Sequence, residues 1–203
     1  MCAAPASAAA QDPPPRIGPF VVDLHGTVPM FPDDPQLAES RALNLRELPG
    51  AGLGVHAGAH VYVLRWRALT IGLGGSLTLA RSHSAATQLS AVETGRAVTE
   101  RFTHVAPELS FNFGTGHGWS YISGGIGPGV WSVVPDGQPP APGDEERLQT
   151  INYGGGARWF AKPHLAFSFD VRFYAINPGT PRGALPGSPR HTLLILGAGI
   201  SVK

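Results

Sequence analysis

The sequence predicts an all-β chain: an eight-stranded antiparallel up-and-down transmembrane β-barrel. Three observations carry that prediction. Eight stretches alternate apolar and polar residues with period two, the mark of strands whose two faces meet different surroundings. Most are ten or more residues long, near the roughly 9–11 a tilted strand needs to cross a bilayer, whereas soluble strands more often run about five or six. The connections alternate strictly between short and long, as in membrane barrels with tight turns at one end and longer loops at the other.

The first strand starts at Phe20, with Phe20, Val22, Leu24, Val28 and Met30 on one face and Val21, Asp23, His25 and Thr27 on the other. The second starts at Leu53. Its apolar face is Leu53, Val55, Ala57, Ala59, Val61 and Val63, against His56, His60 and Tyr62. The third sets Leu69, Ile71, Leu73, Leu77 and Leu79 against Thr70, Gly72, Gly74, Ser76 and Thr78. The fourth, about Arg101 to Phe113, sets Val105, Leu109, Phe111 and Phe113 against His104, Glu108, Ser110 and Asn112. Pro107 lies on its apolar face, where the missing N–H predicts a bulge or irregular pairing.

The fifth strand, about Trp119 to Val134, is so rich in glycine that its faces stay ambiguous. The sixth, about Leu148 to Phe160, sets Ile151, Tyr153, Ala157 and Trp159 against Asn152, Gly154, Gly156 and Arg158. The seventh alternates most cleanly: Leu165, Phe167, Phe169, Val171 and Phe173 are interleaved with Ser168, Asp170, Arg172 and Tyr174. The eighth sets Thr192, Leu194, Leu196, Ala198, Ile200 and Val202 against Leu193, Ile195, Gly197, Gly199 and Ser201.

Tight links are expected at Arg65–Ala68, Gly114–Gly118 and Ala161–His164, and long ones at Pro32–Gly50, Arg81–Thr99, Pro135–Glu146 and Asn177–Pro189. Trp66, Trp119, Tyr121, Trp159 and Phe160 cluster near the tight links, where an aromatic girdle would meet a membrane interface. Alternation alone does not say which face is inside, so a soluble barrel with its apolar face inward is the competing reading. Long strands, an opposite face rich in Gly, Ser, His and charge, and aromatics gathered at one end favour apolar-out.

Composition agrees. Charged residues make up 14% of the chain, below the roughly 25% usual for soluble domains. The 27 glycines and 20 prolines disfavour helices and suit strands joined by turns. A net charge of +1, with no run of Lys or Arg, leaves no footprint for nucleic acid. No apolar run approaches the roughly 18 residues of a transmembrane helix. The single cysteine, Cys2, excludes a disulfide within the chain. Met1–Ala10 reads MCAAPASAAA, and Ala8-Ala9-Ala10 looks like the small-residue end of a secretory signal. Residues 1–15 are assigned to a signal-peptide remnant or an Ala/Pro-rich tail, and 16–203 to the barrel.

Two constellations of candidate site residues face the lumen. Glu108, Arg158, Asp170 and Arg172 form a polar network. In so narrow a barrel, side chains fill the lumen, and buried charges must pair because an unpaired one costs several kcal/mol. Such a network is a plug or, if partners switch, a gate on a thin ion path. The lumen histidines are His25, His56, His60 and His104. His56 and His60 share a face but stand about 13 Å apart by strand rise, too far to ligate one metal. Lone inward histidines usually serve as hydrogen-bonded filler, so no metal or cofactor is expected. Nucleophilic catalysis needs a base within hydrogen-bond reach of its nucleophile, and no spacing here picks out such a pair, so no catalytic residues are assigned.

The stretches APELSFNFGTG (Ala106–Gly116), SYISGGIGPGVW (Ser120–Trp131) and INYGGGARWFAKPHLAFSFDVRFYAINP (Ile151–Pro178) resemble the small outer-membrane β-barrel family, which includes the transmembrane domain of outer-membrane protein A and the porin-like, opacity-type adhesins. The resemblance covers about Arg16 to Lys203. It implies a bacterial outer-membrane location with both termini periplasmic. It also implies outer-membrane lipid and the barrel assembly machinery as partners, with a further extracellular partner open to the long loops. Where the family ends in an aromatic residue, this chain reads Ile200-Ser201-Val202-Lys203. The expected function is non-enzymatic: structural, surface-binding or narrow-pore. The alternatives are a lipid-modifying outer-membrane enzyme and a soluble barrel for a small ligand.

Overall fold

The computed structural model describes residues 15–141 and 143–203; the assignment of residues 1–15 falls, but for Pro15, outside them. Eight strands run in order: β1 (Phe20–Met30), β2 (Leu53–Trp66), β3 (Leu69–Ser84), β4 (Val98–Thr115), β5 (Gly118–Pro135), β6 (Glu145–Lys162), β7 (Leu165–Ile176) and β8 (His191–Val202). Each pairs antiparallel with its sequence neighbour, and β8 returns to β1, closing the barrel. Closure satisfies the backbone groups that an open sheet would leave at its edges.

The alternation sorts residues as expected. Phe20, Val22, Leu24, Val28 and Met30 are exposed on the outer wall, while Val21, Asp23, His25 and Thr27 are buried. Phe167 is 68% exposed and Phe169 42%, so the seventh strand turns its apolar face outward. A soluble barrel would bury these rings. The outer wall instead carries large apolar side chains on every strand, with Trp159 stacked on Phe169 and Tyr153 on Phe173. No helix of the described residues is long and apolar enough to cross a membrane.

Several expectations need correction. The strands reach further toward the long loops than their alternation suggested, so Arg81–Ser84, Val98–Thr99 and Glu145–Glu146 lie in strands rather than loops. Register settles the fifth strand: Ser123 lies opposite Ser110 and Gly125 opposite Glu108, so its odd-numbered residues face inward. Trp119 and Tyr121 are therefore buried in the lumen, and of the expected girdle only Trp66 and Trp159 are exposed. Phe160 is half-buried at the rim, stacked on Trp119 at 4.8 Å. Of the two outcomes expected at Pro107, the irregular pairing is found and the bulge is not: β3 pairs straight past it, and the β4–β5 ladder is interrupted between His104 and Glu108. The bulges lie instead between Tyr62 and Leu64 and between Phe160 and Lys162. One extra residue in β2 reverses the facing of the residues after it, which brings Leu64 and Trp66 to the outer wall.

Two glycines mark where the backbone leaves room for nothing else. Gly114, in the tight β4–β5 hairpin, has φ of 141°. At Gly74 on the inner wall, an added Cβ would fall on the Ala59 carbonyl across the strand pair. The connection between β1 and β2, expected as a plain loop, holds α1 (Pro35–Ser40) and a 3-10 turn at Leu45–Glu47. The Asp34 side chain caps α1 by accepting from the N–H groups of Gln36 and Leu37, and Asn44 and Glu47 form a capping box on the turn. This loop folds back onto the barrel mouth.

Candidate functional site

The lumen holds three layers. In the middle lies the polar network. Arg158 on β6 donates to both oxygens of Asp23 on β1, at 2.8 and 2.5 Å. Ser201 Oγ also donates to Asp23. The Arg158 guanidinium lies 3.8 Å over the Tyr121 ring, and the Tyr121 hydroxyl donates to Asp170 Oδ2 at 2.7 Å. Asp170 accepts from Arg172, which reaches on to Glu108 at 2.9 Å and Ser123 at 2.9 Å. Glu108 Oε1 also accepts from Ser76 and Asn152, each at 2.5 Å.

The structure thus brings together all four predicted network residues, Glu108, Arg158, Asp170 and Arg172, each buried. The alternation placed Asp23 on the polar face of the first strand but gave no reason to join it to the set. Its partner lies across the lumen, 135 residues away in sequence. Tyr121 was missed because its aromatic ring read as girdle.

The histidines line the wall of the same layer. His25 and His56 stand directly opposite on β1 and β2, with rings stacked at 6.0 Å. His25 Nε2 hydrogen-bonds with Ser168 Oγ at 2.7 Å, and His56 Nδ1 with Thr78 Oγ1 at 2.8 Å, which in turn meets the Tyr174 hydroxyl at 2.6 Å. His60 Nε2 lies 3.5 Å from Glu108 Oε2. His104 lies against Phe102 and Tyr174. Among the described residues, no group of three or more His, Cys, Asp or Glu is arranged to hold a metal ion. Ser168 and His25 are a Ser–His pair, but the other ring nitrogen of His25 has no hydrogen-bond partner, so no carboxylate orients it. Both residues are buried inside the barrel.

At the long-loop end the lumen is apolar. Phe102, Trp131, Val133, Tyr174, Ile176, Leu193 and Ile195 point inward and form one core with Phe31, Leu37, Ala38, Leu43 and Leu48 of the β1–β2 loop. Ion pairs at Arg41 and Glu47 fasten this cap. Arg41 donates to Glu146 at 2.5 Å, Glu146 also accepts from Ser188, and Arg96 pairs with Glu47 at 3.2 Å. Beneath them, Trp131 Nε1 donates to Glu100 at 2.7 Å. Burial opposes the charge on Glu47, but the Arg96 side chain and the backbone N–H groups of Arg96 and Asn44 outweigh it and hold the carboxyl below its ordinary range.

At the opposite end, Ile17, Val21 and Trp119 pack together beside Tyr62 and Phe160. Lys203 Nζ lies 3.9 Å from the centre of the Phe160 ring and donates to the Gly116 carbonyl. Burial lowers its pKa. Among the described residues, buried side chains fill the lumen at both ends and through its middle.

No protein-family model matches the chain, and no curated protein is similar to it in sequence. Solved structures are similar in fold. Neisserial surface protein A superposes with a TM-score of 0.53 at 14% identity, covering 92% of this chain and 97% of that one. The attachment invasion locus protein Ail of Yersinia pestis gives 0.50 at 13% identity, covering 90% and 97%. The outer membrane protein OprG of Pseudomonas aeruginosa gives 0.51 at 10% identity, covering 93% and 97%. These neighbours are small outer-membrane barrels, the kind the sequence resembles. At such identities the likeness speaks for the fold: the chain is an all-β, closed, eight-stranded antiparallel up-and-down barrel like theirs.

Proposed function

We propose that this chain is a non-enzymatic bacterial outer-membrane protein whose sealed barrel serves as a rigid anchor for a surface-exposed cap. One observation carries the reading: the outer wall is apolar on all eight strands while the lumen is filled from end to end. A wall of that kind needs lipid around it, since contiguous exposed apolar surface on this scale is foreign to soluble monomers. A filled lumen supports a structural or surface-binding role over a narrow pore.

In this reading the tight turns and both termini face the periplasm. The capped mouth and the long loops face outward, where loops on rigid scaffolds commonly carry binding. Outer-membrane lipid and the barrel assembly machinery are the partners during insertion, and a surface partner would meet the cap.

Two measurements test this. Folded in detergent, the protein should run at a different apparent size before and after boiling. In planar bilayers it should show no sustained conductance. Solubility without detergent and no shift on boiling would overturn the membrane reading, and steady conductance of the folded chain would replace the anchor with a pore.

A further inference from the structure

On β3 and β4, the outer wall is free of charge from Leu69 to Leu79 and from Phe113 to Thr103. Ten residue steps at the usual strand rise, tilted about 45°, span about 24 Å, close to the roughly 25 Å apolar band of membrane barrels. The next residues on this face are Arg81 and Arg101. They stand directly opposite each other across the strand pair, both exposed. Like charges so placed destabilise a sheet unless something offsets them. Among the described residues neither guanidinium is hydrogen-bonded or in an ion pair; the Asp136 carboxylate, near enough to feel the charge of Arg81, offsets it only in part.

Two clefts meet at these arginines. Toward the mouth, a polar one of about 520 Å³ is lined by both arginines with Thr99, Ser132, Gln138 and Glu145. Asp136 lies in it too, its carboxylate already accepting from Thr99 and paired with His83. Toward the middle of the wall, an apolar cleft of about 500 Å³ is lined by the same two arginines with Leu53, Val55, Leu79 and Thr103. The arginines therefore sit at the hinge between a polar recess and an apolar one, at the edge of the apolar band.

We propose that Arg81 and Arg101 form a binding site for a lipid whose headgroup is a terminal phosphate of net negative charge, the phosphate bridging the two guanidiniums and an acyl chain lying in the cleft beside Leu53, Val55, Leu79 and Thr103. A shared anion removes the Arg–Arg repulsion, and arginine suits phosphate because its donors are arrayed as a planar fork. The carboxylates of Glu145 and Asp136 keep the polar recess from accepting anions at large. The site rests on the membrane reading above.

The test uses the full chain folded in a neutral detergent, with the boiling shift confirming that every variant is a folded barrel. Retention of short-chain phosphatidic acid, short-chain phosphatidylcholine and inorganic phosphate is followed by native mass spectrometry and by the amide resonances of β3 and β4. Wild type should hold phosphatidic acid saturably, and the double variant Arg81→Gln/Arg101→Gln should hold it about 25-fold more weakly, from roughly fivefold per arginine. Arg147→Gln, which removes an exposed arginine outside both clefts, should leave retention unchanged. The proposal is overturned if the double variant binds phosphatidic acid as wild type does, if Arg147→Gln weakens binding equally, if phosphatidylcholine binds as tightly, or if inorganic phosphate alone shifts the same amides as far. A variant that still shows the boiling shift has lost the lipid site and not the barrel, so failure here is distinct from failure of the membrane reading.

Discussion

The middle of the lumen and its capped mouth are filled by opposite means. In the middle, charged side chains on β1, β4, β6 and β7 bind one another across the barrel. At the mouth, a loop lays apolar side chains onto apolar wall residues and is fastened at its rim by ion pairs. The first plug is carried entirely by the wall and opens only if the wall does. The second rides on a segment outside the barrel ladder, so it can lift while the strands stay paired. The network is thus tied to global stability and the cap to local opening.

The sharpest way to break this contrast is Arg158→Met. It leaves Asp23 buried and unpaired, and the whole barrel should lose about 3–5 kcal/mol in urea titrations of the lipid- or detergent-folded protein. Adding Asp23→Leu should restore much of that loss, because the orphaned charge is gone. Next comes Leu37→Ala in the cap. It should cost about 2–4 kcal/mol by emptying a fully buried site. The loss should surface as faster hydrogen exchange from Asp34 to Leu48, with the strands as protected as before. Equal loosening of the strands would mean that cap and wall open together.

A smaller effect is expected of Tyr121→Phe. It keeps the ring beneath Arg158 and removes the hydrogen bond to Asp170, at about 1 kcal/mol, again on global unfolding. The smallest belongs to Glu47. Its pKa is lowered in the folded cap from an ordinary 4.5, so its contribution is present above that pH and fades as the pH falls through the lower folded value. The protection of the cap amides, taken relative to their intrinsic exchange rates, should therefore fall on acidification below about pH 4.5, and Glu47→Gln should flatten that dependence while costing about 0.5–1 kcal/mol, since Arg96 is exposed to solvent.

Much of the site was legible because period two is a local property. Asp170 and Arg172 fall on one face simply by being two residues apart, and Glu108 and Arg158 fall on theirs by the same parity. Parity also explains the misreadings. Trp119 and Tyr121 belong to a strand whose glycines blur the faces, and only pairing with β4 fixes them inside. Leu64 and Trp66 come after a bulge, which shifts parity without leaving a mark in the hydrophobic pattern. Arg41, Glu146 and Glu100 had no local signal at all. The first lies in what read as a plain loop, and the other two near strand ends taken as loop or left unassigned.

The amino-acid sequence by itself determined the number of strands, their order, the inward and outward faces of most of them and the alternation of tight and long connections. These depend on residue spacing along one chain. Only the tertiary structure decided which inward groups meet: Asp23 with Arg158, Tyr121 with Asp170, Arg41 with Glu146, and Arg81 opposite Arg101 on the wall. The physical reason is closure. The stagger with which strands pair around a barrel sets which side chains share a level across the lumen, and that stagger belongs to the whole ring rather than to any one strand.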